Sequence, residues 1–319
     1  MRYSTFMMSF FLFLLVAPAM AQTSKFEWKE GKSGDYTYRY VTNDPFKARF
    51  YTLKNGLTVI LSPTNKEPRI QCYVATKAGN KTDPATHTGL AHYLEHMLFK
   101  GTDKYGSLDW AKEKPELDKI DALYEEYNHT TDEEARKAIY KRIDSVSGVA
   151  SKYAIANEYD KMMSSMGAQG TNAFTSFEKT VYTDDVPSSS IDKYIAVQAE
   201  RFRSPVFRIF HTELEAVYEE KNRGLDNDGR KVQEKLFSEL FKNHNYGKQT
   251  TIGTIEHLKN PSLLEIRKYF NTYYVPNNMG VIMSGDFDPD VMIKKIDAAF
   301  SFMQPKPVPK YTFEPEQPI

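Results

Sequence analysis

Cysteine, net charge and long apolar runs are all scarce in this sequence of 319 residues. The single cysteine, Cys72, excludes a disulfide within the chain, and the alternating pattern of residues 70–74 predicts a strand residue in the core. Lys plus Arg and Asp plus Glu each total 42, so no charge excess favours nucleic acid or an anionic membrane. Beyond the N-terminus no run approaches the roughly 18 apolar residues of a membrane span. The choice of partner must therefore depend on a local site.

The N-terminus has the parts of a secretory signal peptide. Arg2 gives a positive start, residues 10–16 form an apolar centre, and Ala19 and Ala21 form a small-x-small cleavage site before Gln22. The pattern predicts an exported protein, either periplasmic or secreted. The lone cysteine fits a periplasm-type compartment in which folding does not depend on disulfides. The alternative is an uncleaved N-terminal anchor.

Strand and helix patterns alternate along the main part of the chain. Residues 50–53 and 57–61 alternate like strands around Asn55-Gly56, the dipeptide that best tolerates a tight hairpin turn. Such hairpins, followed by helical segments, predict an α+β fold with a mainly antiparallel sheet and helices packed on it. The predicted parts are a signal peptide at 1–21, an N-terminal extension at 22–47, a main domain at 48–303 and a proline-rich linker at 304–319.

Residues 108–160 change in character and form a charged, helical insertion in the main domain. Two helical stripes are separated by a turn at 128–132, and Thr131 with Glu134 has the spacing of a capping box at the start of the second helix. The segment therefore predicts a helical hairpin. Two roles remain open for it, a solvated packing element on the surface or a gate for substrate.

The strongest chemical signal is His92-Tyr93-Leu94-Glu95-His96. On a helix, His92 and His96 project from one face about one turn apart, as two ligands of one zinc ion must. Glu95 leans towards the same face and can act on water as a general base. This H-x-x-E-H order is a known zinc peptidase signature. The alternative is a helix with two surface histidines.

A two-histidine zinc site needs at least one more protein ligand, which is usually a carboxylate. The helical segment 213–222 is the richest source of carboxylates, and Glu213 and Glu220 lie seven residues apart on one face. One of them can bind the metal while the other supports the site. The alternative is a solvated acidic face.

Several blocks together resemble the pitrilysin/insulinase family of zinc metallopeptidases, which includes the mitochondrial processing peptidases. The first block is highly specific, and the later blocks are persuasive because they occur in the family's order between about Ala48 and Phe300. The blocks are Gly89 to Thr102, Asn172-Ala173-Phe174-Thr175, Glu213 to Asn222, Tyr246-Gly247 with Thr251 to Thr254, and Tyr273 to Met279. The resemblance implies the fold of the mitochondrial processing peptidase-like metallohydrolases.

The resemblance also implies roles for individual residues. His92 and His96 are zinc ligands, Glu95 is the general base, Glu220 is the third ligand and Glu213 is the supporting carboxylate. In this family a zinc ion is the cofactor, and the catalytic half closes with a second homologous half, in the same or another chain. That second half is therefore an expected partner.

Glu219 is the rival of its neighbour for the role of third ligand. The resemblance further implies that the strand of Asn172 and Ala173 pairs with the substrate backbone and holds the peptide extended. One departure from the family is the long separation between the two halves of the metal site, for which the insertion at 108–160 accounts.

The leading hypothesis is an exported zinc metalloendopeptidase that cleaves unfolded peptides or small proteins. The first alternative is a non-catalytic structural or substrate-presenting subunit, which the general independence of fold and function allows. The second is a metal-dependent module that holds peptides without cutting them. Intact His92, Glu95 and His96 favour the enzyme.

Overall fold

The protein is described by a computed structural model covering residues 25–317, so the predicted signal peptide at 1–21 lies outside the described residues. Eight strands and eleven helices occur within residues 25–317, which confirms the predicted α+β class. The strands are β1 (Trp28–Ser33), β2 (Tyr36–Val41), β3 (Arg49–Thr52), β4 (Thr58–Pro63), β5 (Arg69–Thr76), β6 (Gln169–Thr175), β7 (Thr180–Pro187) and β8 (Met279–Gly285).

Several helices contact strands β4, β6 and β7 of the sheet. In that same described range, no helix combines the length and apolar character that a membrane crossing needs. The helices are α1 (Leu90–Met97), α2 (Trp110–His129), α3 (Glu133–Ala150), α4 (Glu158–Ser165), α5 (Ile191–Arg203), α6 (Phe210–Leu225), α7 (Asp228–Leu240), α8 (Asn245–Lys248), α9 (Ile255–Lys259), α10 (Leu263–Tyr273) and α11 (Pro289–Phe300). The helices in contact with those three strands include α1, α4, α5 and α11.

All eight strands form one sheet in the order β1-β2-β3-β4-β8-β5-β7-β6. Every neighbouring pair is antiparallel except β4 and β8, which run parallel. The predicted hairpin is present as β3 and β4, and Gly56 adopts a φ of 88° in its turn. Strands β1 and β2 lie in the predicted N-terminal extension and lengthen the sheet at its far edge.

The core lies between the sheet and the helices. Alternate residues of β5 point into it, and Ile70, Cys72 and Val74 are almost completely buried, as the alternating pattern predicted for the cysteine. Burying one such aliphatic side chain stabilises the fold by about 1.5–3 kcal/mol. The sheet is therefore a firm support for the helices that carry the polar residues of the site.

The insertion forms the predicted helical hairpin from α2 and α3. The start of α3 differs from the prediction by one residue, because the carboxylate of Asp132, and not the hydroxyl of Thr131, accepts a hydrogen bond from the N–H of Ala135 at 2.8 Å. Aspartate is a favoured residue at this position, because its carboxylate accepts a hydrogen bond from a backbone N–H of the first turn. The hairpin packs against α10, where Arg267 donates to Asp121 at 2.8 Å.

The described part of the predicted linker, residues 304–317, contains neither a helix nor a strand. It is nevertheless held against the domain. The carboxylate of Glu316 accepts hydrogen bonds from the backbone N–H groups of Lys242, Asn243 and His244 at 3.0, 2.8 and 2.8 Å. The segment thus runs back across the domain towards α8.

Candidate metal centre

Helix α1 carries the histidine motif, and a buried carboxylate fixes its start. Asp83 is 3% exposed and accepts hydrogen bonds from the N–H groups of Gly89, Leu90 and Ala91 at 2.8, 3.2 and 2.9 Å. Burial raises the pKa of Asp83, and the three N–H groups oppose that rise. Three N–H groups that a helix leaves unpaired at its first turn are thereby satisfied.

Removal of this cap is expected to destabilise the fold more than removal of an exposed cap. Asp83→Ala should lower the free energy of unfolding in urea by about 2–3 kcal/mol, because buried N–H groups then lose their partner. The matched control is Asp132→Ala, which removes the exposed, single-bond cap of α3 and should lower it by about 1 kcal/mol. Equal losses in the two variants would contradict this account of α1.

His92 and His96 meet a carboxylate of α6 in front of α1. The two Nε2 atoms are 3.3 Å apart, and Glu220 Oε2 lies 3.7 Å from each of them. A tetrahedral zinc site with bonds of about 2.0–2.1 Å to nitrogen places its ligand atoms about 3.3 Å apart. Among residues 25–317, this is the one group of three or more His, Cys, Asp or Glu side chains near enough to share a metal ion.

The surroundings shift the pKa values of the two histidines in opposite directions. Burial, and then the neighbouring imidazole of His96, lowers the pKa of His92 to about 3, so its ring is neutral near pH 7. Burial also lowers the pKa of His96, but the hydrogen bond to Glu213 and the charges of Glu213, Glu95 and Glu220 together outweigh it and leave that pKa raised. Neutral imidazole is the form that binds zinc.

Glu213 supports His96 from behind. His96 Nδ1 donates to Glu213 Oε1 at 2.8 Å, and Lys100 Nζ lies 2.5 Å from Glu213 Oε2. Such a hydrogen bond fixes the ring so that Nε2 faces forward, towards a metal. Within α6, Glu220 therefore lies beside the Nε2 atoms of both histidines, and Glu213 lies beside the Nδ1 atom of His96. These positions are compatible with the predicted roles of ligand and supporting carboxylate. Glu219 is exposed and lies outside the group.

Glu95 lies beside the three candidate ligands without belonging to their group. Its side chain is 7% exposed, and Oε2 accepts a hydrogen bond from Thr175 Oγ1 at 2.5 Å. Burial raises the pKa of Glu95, and the hydrogen bond from Thr175 and the nearby His96 oppose the rise. A carboxylate whose pKa is raised towards neutrality is suited to accept and release a proton.

The strand β6 borders the same site. It pairs with β7 and forms the edge of the sheet, with Asn172 opposite Thr183 and Ala173 opposite Tyr182. Asn172 is exposed. A cavity of about 300 Å³ is lined by residues of α1, of β6 and of the segment that leads into α4. Its lining includes Glu95, His96, Thr171, Asn172, Ala173 and Glu213.

Three polar residues of the site were not among the sequence-based candidates. Thr175 stands in the quoted strand block, but nothing in the sequence indicates that its hydroxyl reaches Glu95. Lys100 follows His96 by four residues, a helical spacing that could have suggested a partner for an acidic support. Asp83 precedes its helix by too many residues for a recognisable capping signal.

The chain matches two models of known protein families. The family model "Insulinase (Peptidase family M16)" matches residues 58–135 and 146–254. A second model, "Peptidase M16 inactive domain", matches residues 262–319. Together the matches cover the motif helix, β6 and the carboxylates of α6.

Individual relatives agree with these matches. The zinc protease PqqE of Helicobacter pylori is 27% identical over 274 residues, which are 83% of this chain and 50% of that protein. A crystal structure of a protease from Helicobacter pylori has a TM-score of 0.63 at 24% identity, and covers 83% of this chain and 53% of the other. The periplasmic protease PqqL of Escherichia coli has a TM-score of 0.63 at 19% identity, covering 86% and 26%. This chain thus spans about half the length of the first curated relatives that it matches.

Proposed function

The chain belongs to the insulinase family, peptidase family M16, and from this premise we propose that it is the catalytic half of an exported zinc metalloendopeptidase that cleaves unfolded peptides or small proteins. The observation that carries the proposal is the triangle of His92, His96 and Glu220 with Glu95 beside it. A metal site alone can have a purely structural role. Hydrolysis also requires a general base, and the buried carboxylate of Glu95, next to the ligands but outside their set, can act as that base.

Zinc is the cofactor of this family, and the donor set fits it. In the proposal, His92, His96 and Glu220 would hold the ion, which would supply Lewis-acid chemistry for the peptide carbonyl and for water. Glu213 keeps the His96 ring in place through the 2.8 Å hydrogen bond. Two histidine nitrogens and one carboxylate oxygen are the set of three protein ligands that is typical of catalytic zinc sites.

Glu95 carries the proton in the proposed mechanism. Its carboxylate accepts a proton from the attacking water and later delivers it to the nitrogen of the departing amine. The hydrogen bond from Thr175 holds one carboxylate oxygen and leaves the other for the water. Because Thr175 ends β6, the strand and the base are aligned by the same residue.

The substrate is proposed to add as a further strand to the free edge of β6 at Asn172 and Ala173. Main-chain hydrogen bonds then hold an extended peptide with little dependence on its sequence. Most strands of a folded protein are already paired with their neighbours, whereas an unfolded chain offers its backbone groups along its length, so unfolded chains are the substrates that suit this edge. The scissile bond would lie across the cavity that Glu95, His96 and β6 share.

N-methylation of substrate peptides is expected to weaken binding at every second residue of the peptide. Alternate N–H groups of an added strand point towards β6, and removal of one should raise KM about fivefold, in keeping with a net hydrogen-bond contribution of about 1 kcal/mol. The intervening positions are the matched control, because their N–H groups point away and methylation should leave KM within about twofold. A uniform effect along the peptide would contradict strand addition.

The chain spans about half the length of its curated relatives, and we propose that a second homologous half, in the same or another chain, closes over the substrate.

Export is proposed from the signal-like residues 1–21, and sequencing of the mature N-terminus should give Gln22 first. The activity itself is tested, with the second half present in the same or a separate chain, by mass spectrometry of products from a library of unfolded peptides. Internal cleavage that a zinc chelator stops supports the proposal, and no new termini would refute it.

A further inference from the structure

The start of α6, the helix that carries both Glu213 and Glu220, is tied to the inserted hairpin by a buried ion pair. Arg208 is 1% exposed and Glu113 of α2 is 0% exposed. Arg208 Nε donates to Glu113 Oε1 at 2.9 Å and Nη2 donates to Oε2 at 3.2 Å, a two-point contact with fixed geometry. A pair this deeply buried holds its partners in one arrangement, because either charge left alone is strongly unfavourable.

The same guanidinium also holds the loop that follows α1. Its Nη1 donates to the carbonyls of Lys100 and Tyr105 at 2.7 and 3.2 Å, and Nη2 donates to the carbonyl of Thr102 at 2.8 Å. A guanidinium has five N–H donors, and with the two to Glu113 all five are satisfied. The loop wraps closely, since a Cβ added to Gly106 would come within 2.4 Å of Nη1.

The residue after Arg208 has a strained backbone. Ile209 has φ 48° and ψ 29°, the left-handed conformation, which is rare for a β-branched residue. Such a conformation persists only where the surroundings enforce it. Immediately beyond it, the carbonyl of Phe210 accepts a hydrogen bond from Tyr93 Oη at 2.8 Å, and the Phe210 ring contacts Tyr124 of α2 at a centroid distance of 5.0 Å. Arg208 and Phe210, the neighbours of Ile209 in the chain, are therefore both held by contacts with other elements.

We infer that Glu113, acting through Arg208 and the strained Ile209, positions α6 so that Glu213 and Glu220 meet the histidines of α1. Glu213 lies in the first turn of α6, and its N–H donates to the carbonyl of Ile209 at 3.1 Å. A rotation at Ile209 would therefore move both carboxylates relative to His92 and His96. This inference rests on the proposed zinc site and gives the hairpin a role beyond that of a solvated packing element.

The test measures zinc affinity by competition with a chromogenic chelator. Glu113→Gln keeps the shape of the side chain but removes the charge, and should weaken zinc binding about tenfold, at the lower end of the effect of removing a residue that supports a ligand directly. The matched control is Glu126→Gln, which breaks an exposed ion pair to Arg142 inside the hairpin and should leave the affinity within twofold. Equal affinities in all three proteins would overturn the inference.

Ile209→Gly provides a second variant that buries no unpaired charge, so it remains informative if Glu113→Gln does not fold. Glycine adopts the left-handed conformation without strain but no longer enforces it. The metal-free protein should therefore unfold at a temperature close to that of the unsubstituted chain, while zinc binds at least about threefold more weakly. An unchanged affinity here overturns the positioning role alone. An unsubstituted chain that binds no zinc overturns the proposed function as well.

Discussion

Glu95→Gln is expected to abolish peptide hydrolysis and to leave the zinc content of the protein unchanged. The amide has the shape of the carboxylate and can still accept the hydrogen bond from Thr175, but it cannot take a proton from water. Loss of a general acid and base lowers kcat by a factor of about 10² to 10⁴. The measurement is kcat on an extended peptide together with zinc by elemental analysis.

The matched control for this variant is Glu219→Gln, the same change at an exposed glutamate outside the group of ligands. Its kcat and zinc content should both be those of the unsubstituted protein. If Glu95→Gln keeps more than about a tenth of the activity, Glu95 is not the base. If it loses zinc, Glu95 is instead a ligand.

Glu220→Ala is expected to remove zinc from the protein. Residues that only support a metal ligand contribute about 10–100-fold in affinity, so the loss of a ligand should weaken zinc binding by more than about a hundredfold. Glu220 Oε2 lies 3.7 Å from both histidine Nε2 atoms, and no other carboxylate among the described residues joins that group. Zinc affinity by chelator competition checks this prediction.

Glu219→Ala decides between the two neighbouring glutamates. Because Glu219 is exposed on another side of α6, its removal should leave zinc affinity within about twofold. Loss of zinc from Glu219→Ala, with zinc retained by Glu220→Ala, would transfer the role of third ligand to Glu219. In that case α6 would have to rotate so that the Glu219 carboxylate reaches His92 and His96.

The local parts of the site followed from the sequence because they depend on short spacings. His92 and His96 are one helical turn apart, and the structure places both on α1 with their Nε2 atoms 3.3 Å apart. The turn at Asn55-Gly56 and the alternating burial around Cys72 were predictable for the same reason, since φ preferences and strand periodicity act over a few residues.

Contacts between distant residues were not predictable from a single sequence. Arg208 and Glu113 are on separate helices, and each alone reads as an ordinary charged surface residue, yet both are buried. The parallel pairing of β4 with β8 joins segments near the two ends of the domain. The strands β1 and β2 were assigned only to an extension, because their charged, tyrosine-rich sequence lacks a clear apolar face.

The most direct test of the central claim is a titration of metal-free protein with zinc while cleavage of an extended peptide is followed. The account predicts no cleavage without metal, and a rate that rises with added zinc until one ion is bound per chain, at the site of His92, His96 and Glu220. The titration is carried out with the second half present in the same or a separate chain. Cleavage by the metal-free protein, or none after one zinc ion is bound per chain, would contradict it.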